Sequence, residues 1–112
     1  MPFTSAWMSL RWIVAPDEAR RIADALHALM AEARGQHGYQ GSSLSTELGE
    51  RATLHYREDW ESEDDLQRQI RSKRFTHVAE LIDRASEAPQ VEFHVPNAVR
   101  GLDYAVELRK QR

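Results

Sequence analysis

The chain has 112 residues, enough for one modest core, and its 41% hydrophobic and 29% charged content lies well inside the range of chains that fold. With no cysteine it can form no disulfide, thiolate nucleophile or cysteine-bound metal site, and a net charge of −3 argues against a phosphate-binding footprint for nucleic acid. No apolar run approaches the roughly 20 residues that span a bilayer, and the start Met1-Pro2-Phe3-Thr4-Ser5 lacks the basic and apolar regions of a secretory leader, so the expectation is a cytoplasmic protein without a membrane partner.

Residues Ala6 to Val14 alternate with period two, which predicts a strand: Met8, Leu10, Trp12 and Val14 share one face, Trp7, Ser9, Arg11 and Ile13 the other. Pro16 suits the first helical position and Asp17 and Glu18 suit the positive helix start; Ile22, Leu26, Leu29, Met30 and Ala33 then follow at helical spacing to about Arg34. Gly35 is the expected stop, and Gly38 extends the break. Tyr39 to Thr46 reads as a weak strand and Ala52 to Trp60 as a clear one, the two forming a hairpin across Glu47-Leu48-Gly49-Glu50.

Ser62 followed by Glu63, Asp64 and Asp65 is a helix start in which the hydroxyl accepts an orphan amide proton and the acids complement the dipole. Ser72 offers a second cap before the stripe Phe75, Val78, Ala79 and Ile82, so this helical region is expected to break in two. Between Pro89 and Pro96, Val91, Phe93 and Val95 alternate with Glu92 and His94 as a short strand. The tail from Gly101 fits both periods and is read as a helix. The order β-α-β-β-α-β makes an α+β, ferredoxin-like split βαβ domain over residues 1–112, with a C-terminal appendage from about residue 97; its antiparallel sheet carries helices on one face.

Helices can cover only one sheet face, yet Trp7 and Ile13 point to the other, together with Ser9, Arg11, Thr53, His55, Arg57, Asp59, Glu92 and His94. A second copy of the chain is the expected cover, with opposed charges such as Arg57 and Glu92 meeting in a partly buried layer.

The run Leu54-His55-Tyr56-Arg57-Glu58-Asp59-Trp60-Glu61-Ser62, continued by Leu66, Ser72 and Phe75, resembles the signature of the antibiotic biosynthesis monooxygenase superfamily. The resemblance implies a dimeric α/β barrel. It also implies kinship with cofactor-free oxygenases of quinols and polyketide anthrones, with haem-degrading enzymes and with small proteins of no established reaction. Two departures bear on activity. Gln69 stands where many quinol-oxygenase-like members carry a histidine on the short helix. The haem degraders' tryptophan also falls at Gln69 and their ligand histidine near Ala79, whereas His77 lies two residues earlier, a turn of about 200° around a helix, so no haem is expected.

Trp12, Tyr56, Trp60, Phe75 and Phe93 are the candidate pocket residues, since their flat faces suit an aromatic ligand held between sheet and helices, although plain core packing is the commoner role of such side chains. His77, beside the Phe75 stripe, and His55 are the candidate bases, an imidazole being a competent proton acceptor near pH 7. His27 and His37 read as surface residues. His55 and His94, on one face with Glu92 nearby, loosely suggest a metal site or an acid–base pair, but no ligand motif supports a metal and none is expected. Two functions follow: a cofactor-independent monooxygenase of a quinol-like or polyketide aromatic, or a non-catalytic dimeric module that binds a small apolar ligand or a protein.

Overall fold

The computed structural model describes residues 5–111; the start read for a leader lies mostly outside them. The elements run β1 (Ala6–Val14), α1 (Pro16–Ala33), β2 (Tyr39–Leu48), β3 (Ala52–Trp60), α2 (Glu63–Arg71), α3 (Arg74–Arg84), β4 (Gln90–Val95), β5 (Ala98–Arg100) and α4 (Leu102–Lys110). The strands form one antiparallel sheet in the order β2-β3-β1-β4-β5, the α+β ferredoxin-like arrangement with one added edge strand.

Period two decides which face each strand buries. Met8, Leu10, Trp12 and Val14 of β1 and Ala52, Leu54, Tyr56 and Trp60 of β3 are buried, and Ile22, Leu26 and Leu29 of α1 close over them. Met30, expected in the α1 stripe, is only partly buried, while Ala19 joins it. The ladder between β2 and β3 continues to Leu48 opposite Ala52, so the turn is Gly49 to Arg51 and begins two residues later than the sequence suggested.

Ser62 caps α2 as expected, its Oγ accepting from the Asp65 amide at 3.1 Å. Ser72 marks the break: its Oγ donates to the Gln69 carbonyl at 2.6 Å and accepts from the Phe75 amide at 3.4 Å. The region after Pro96 is integral to the domain. Asn97, with φ 72°, turns the chain so that Val95 pairs with Ala98, and α4 then buries Tyr104, Ala105 and Leu108. No helix among the described residues is long and apolar enough to cross a membrane.

Candidate functional site

Four of the five candidate pocket residues are sealed into the core: Trp12, Trp60 and Phe93 are 0% exposed and Tyr56 1%. Phe75 packs its ring 6.4 Å from that of Phe93 and alone of the five lines a surface groove described below. The sheet–helix layer is thus closed around these aromatics.

What the layer holds besides aromatics is a carboxylate. Glu58 points from β3 into the core and is 1% exposed. Its Oε2 accepts from the Tyr56 hydroxyl and from Arg74 Nη2, and its Oε1 accepts from Arg74 Nη1 at 3.2 Å. Arg74, in the first turn of α3, also donates to the Leu29 carbonyl at 2.8 Å and to Gln69 Oε1 at 3.3 Å, while Gln69 Nε2 reaches Gln36 Oε1 at 3.2 Å. Gln69 is therefore a buried bridge between α2, Arg74 and the chain after α1.

The electrostatics follow from burial. Loss of water pushes the Tyr56 phenol well above its ordinary value of 10.0, and the adjacent Glu58 charge and hydrogen bond add to the rise. Burial opposes the charge on Arg74, but the bond and charge of Glu58 outweigh it and the guanidinium is held more firmly protonated than usual. Three donors hold the carboxylate, and through Arg74 and Gln69 its hydrogen bonds reach four elements, so this cluster reads as a clamp joining β3, α1, α2 and α3.

A pH dependence follows. Tyr56 stays protonated in the folded chain where an exposed phenol has ionised, so its contribution is fully present below about pH 10 and is lost as pH rises beyond that. Urea denaturation of the wild type and Tyr56→Phe at about pH 8 and pH 11 should show a smaller alkaline loss for the variant. Tyr104 shifts the same way, through burial together with the Glu63 bond and charge, so part of the alkaline loss remains.

The candidate bases lie elsewhere. His77 is exposed on the outer side of α3, 3.3 Å from Glu32 of α1, in a groove of about 360 Å³ between those helices. His55 lies on the open sheet face opposite Arg11, bonded to Glu47 at 3.2 Å. His94 lies on the same face opposite Trp7, four residues along β1 from Arg11 and on its other flank. The structure therefore does not bring His55 and His94 together. Each histidine keeps its own carboxylate, His94 bonding Glu92 at 3.0 Å. Among the described residues no group of three or more histidines and acids is arranged to hold a metal. His27 and His37 are exposed.

A second groove, of about 350 Å³, lies between α3 and α4 over Phe75, Ala79, Ile82, Leu102, Ala105 and Val106. Arg109 stands at it, its guanidinium carbon 5.7 Å from the Phe75 ring, with Asp83 and Lys110 also at the groove. Of the polar groups above, Glu58 and Arg74 were not singled out from the sequence. A legible signal existed for the first: Glu58 occupies a core-facing position between Tyr56 and Trp60 in the alternation of β3.

The architecture has clear counterparts among solved structures. A conserved protein from Methanosarcina mazei Go1 superposes with a TM-score of 0.70 over 83% of this chain and 93% of its own, at 18% identity. A candidate antibiotic biosynthesis monooxygenase from Nitrosomonas europaea gives 0.67 over 90% and 92%, at 10% identity. The chain has an antibiotic biosynthesis monooxygenase-like fold. SnoaB, a cofactor-independent oxygenase from Streptomyces nogalater, shares the fold at a TM-score of 0.58, over 90% of this chain and 98% of its own, at 16% identity. No family model and no curated protein matches the sequence. Identities this low carry the fold and not the reaction.

Proposed function

We propose that this chain is a homodimeric binding module for a small apolar or aromatic ligand, using the oxygenase-like fold without oxygenase chemistry. One observation carries this reading: both candidate bases, His77 and His55, stand outside a sheet–helix layer that is closed around its aromatics. The ligand sits in the groove between α3 and α4, whose volume suits a bicyclic ring and whose floor is apolar. Dimerisation uses the open sheet face, where Trp7 is half-buried and Ile13 is 38% exposed.

A second reading, cofactor-independent oxygenation of a quinol-like or polyketide aromatic, has one observation in its favour besides the likeness to SnoaB. Trp12 Nε1, Trp60 Nε1 and Arg74 Nε are buried without a hydrogen-bond acceptor among the described residues, and an oxygen-bearing ligand admitted to an opened layer would supply one. Oxygen uptake with a panel of hydroquinones and anthrones separates the two. The module reading expects uptake no faster than buffer alone, and saturable binding of a bicyclic phenol that is lost when Ala79→Trp fills the groove. Turnover that disappears in His77→Ala or His55→Ala would establish the oxygenase instead.

A further inference from the structure

The groove between α3 and α4 is polarised along its length. On α4, Leu102 and Val106 line its apolar part, and Arg109 and Lys110 follow in the same helical phase at the end of the helix. Arg109 Nη2 donates to Thr76 Oγ1 at 3.2 Å in the first turn of α3, so the end of α4 meets the start of α3. Asp83 borders the groove near the far end of α3, about 12 Å along the helix from Phe75. Between the charged ends the apolar stretch is open to water, Leu102 being 41% and Val106 48% exposed.

The charges at the two ends are not neutralised within the protomer. Among the described residues Arg109, Lys110 and Asp83 make no ion pair. Arg109 is held instead by neutral acceptors, its Nη1 donating to the Ile70 carbonyl at 2.8 Å and the Ser72 carbonyl at 3.2 Å, and its Nη2 to Thr76. These bonds fix the guanidinium beside the Phe75 ring and, among the described residues, leave part of its donor fork unused. A positioned cation with donors to spare therefore stands at the groove before any ligand arrives, which lowers the ordering cost of binding an anion there.

We infer that the ligand of this groove is an aromatic carboxylate with a hydroxyl at its opposite end, the carboxylate lying toward Arg109 and Lys110 and the hydroxyl toward Asp83. The inference rests on the binding-module reading above and adds the ligand's chemistry. The rings cover Phe75, Ala79, Ile82 and Val106, and their burial removes the exposed apolar wall from water. The carboxylate accepts charge-assisted bonds from the basic end, and the phenol, neutral near pH 7, donates to the Asp83 carboxylate. A plain hydrocarbon would cover the same wall and leave both charged ends unmatched. A cationic ring would be opposed by Arg109 and Lys110, and a ligand with an acid at each end would be opposed by Asp83.

Isothermal titration calorimetry at pH 7 and low salt tests this with three probes: naphthol, naphthoate, and a hydroxynaphthoate whose two groups lie at opposite ends of the ring pair. The hydroxynaphthoate should bind the wild type at least about fivefold more tightly than either of the others. Arg109 also ties down the Ile70 and Ser72 carbonyls, so the charge is tested at exposed Lys110, which makes no such bonds among the described residues. Lys110→Glu should abolish the gain from the carboxylate and leave naphthol affinity unchanged. Asp83→Asn should abolish the gain from the hydroxyl, measured as hydroxynaphthoate against naphthoate. Ala79→Trp should remove binding of all three. No binding by any probe, or binding that persists in Ala79→Trp, sinks the groove reading itself. Equal affinities for the three probes, a carboxylate gain that survives Lys110→Glu, or a hydroxyl gain that survives Asp83→Asn overturns this ligand class and leaves the groove reading standing.

Discussion

Arg74→Met is expected to be the most destabilising conservative change in the domain, lowering the unfolding free energy by about 3–5 kcal/mol in urea denaturation at pH 7. The side chain is 9% exposed, and among the described residues it is the sole cation bonded to a carboxylate that is itself 1% exposed. Its removal leaves Glu58 charged in the core with only the Tyr56 hydroxyl, and strands the Leu29 carbonyl and Gln69 Oε1 as well. The cost is the desolvation of an unpaired charge more than the loss of an attraction. Taking out the whole cluster, as Tyr56→Phe with Glu58→Leu and Arg74→Met, should therefore recover most of the loss. Apolar replacements of similar size commonly match a buried ion pair. Arg74→Met within about 1 kcal/mol of wild type would show that water reaches Glu58 and that the clamp is not structural.

The same cluster shows where sequence reasoning stops. Alternation told the two faces of β1 and β3 apart, because a strand has only two sides and a one-residue slip inverts both. It also placed Glu58 among Tyr56 and Trp60 on the buried side, so the need for a cation was readable. Which cation was not: Arg74 sits 16 residues away at the start of α3, and its reach depends on how the break at Ser72 angles two short helices. Helical phase set His77 beside the stripe of Phe75, Val78 and Ala79, within expected reach of the cleft, whereas the structure finds it facing Glu32 across the α1–α3 groove. The strand β5 escaped notice because Ala98, Val99 and Arg100 are all exposed at the sheet edge, where no face imposes alternation. The turn residues Pro96 and Asn97 were its only local signal.

Closure of the layer also depends on the short loop between α1 and β2, and here the expected result is a contrast between two glycines with nearly the same backbone. Gly35 has φ +84° and Gly38 φ +83°, so alanine at either pays the left-handed penalty, about 1 kcal/mol. A Cβ at Gly35 meets nothing within 4 Å, whereas one at Gly38 falls 2.3 Å from the Asp65 carboxyl carbon. Asp65 is 5% exposed and fixed at the start of α2: its Oδ2 accepts from Ser62 Oγ at 2.9 Å and its Oδ1 from Arg68 at 2.8 Å. It cannot yield without disturbing the cap, and the Gly38 carbonyl is itself held by the Glu61 amide at 2.8 Å. Gly38→Ala should therefore cost at least about 2 kcal/mol more than Gly35→Ala in urea denaturation. Adding Asp65→Ala should remove most of that excess, since Ser62 Oγ can still accept from the residue-65 amide once the carboxylate is gone. Equal costs for the two glycine variants, or an excess that persists without the Asp65 carboxylate, would mean that the loop does not press on the α2 cap and that the cap holds independently of it.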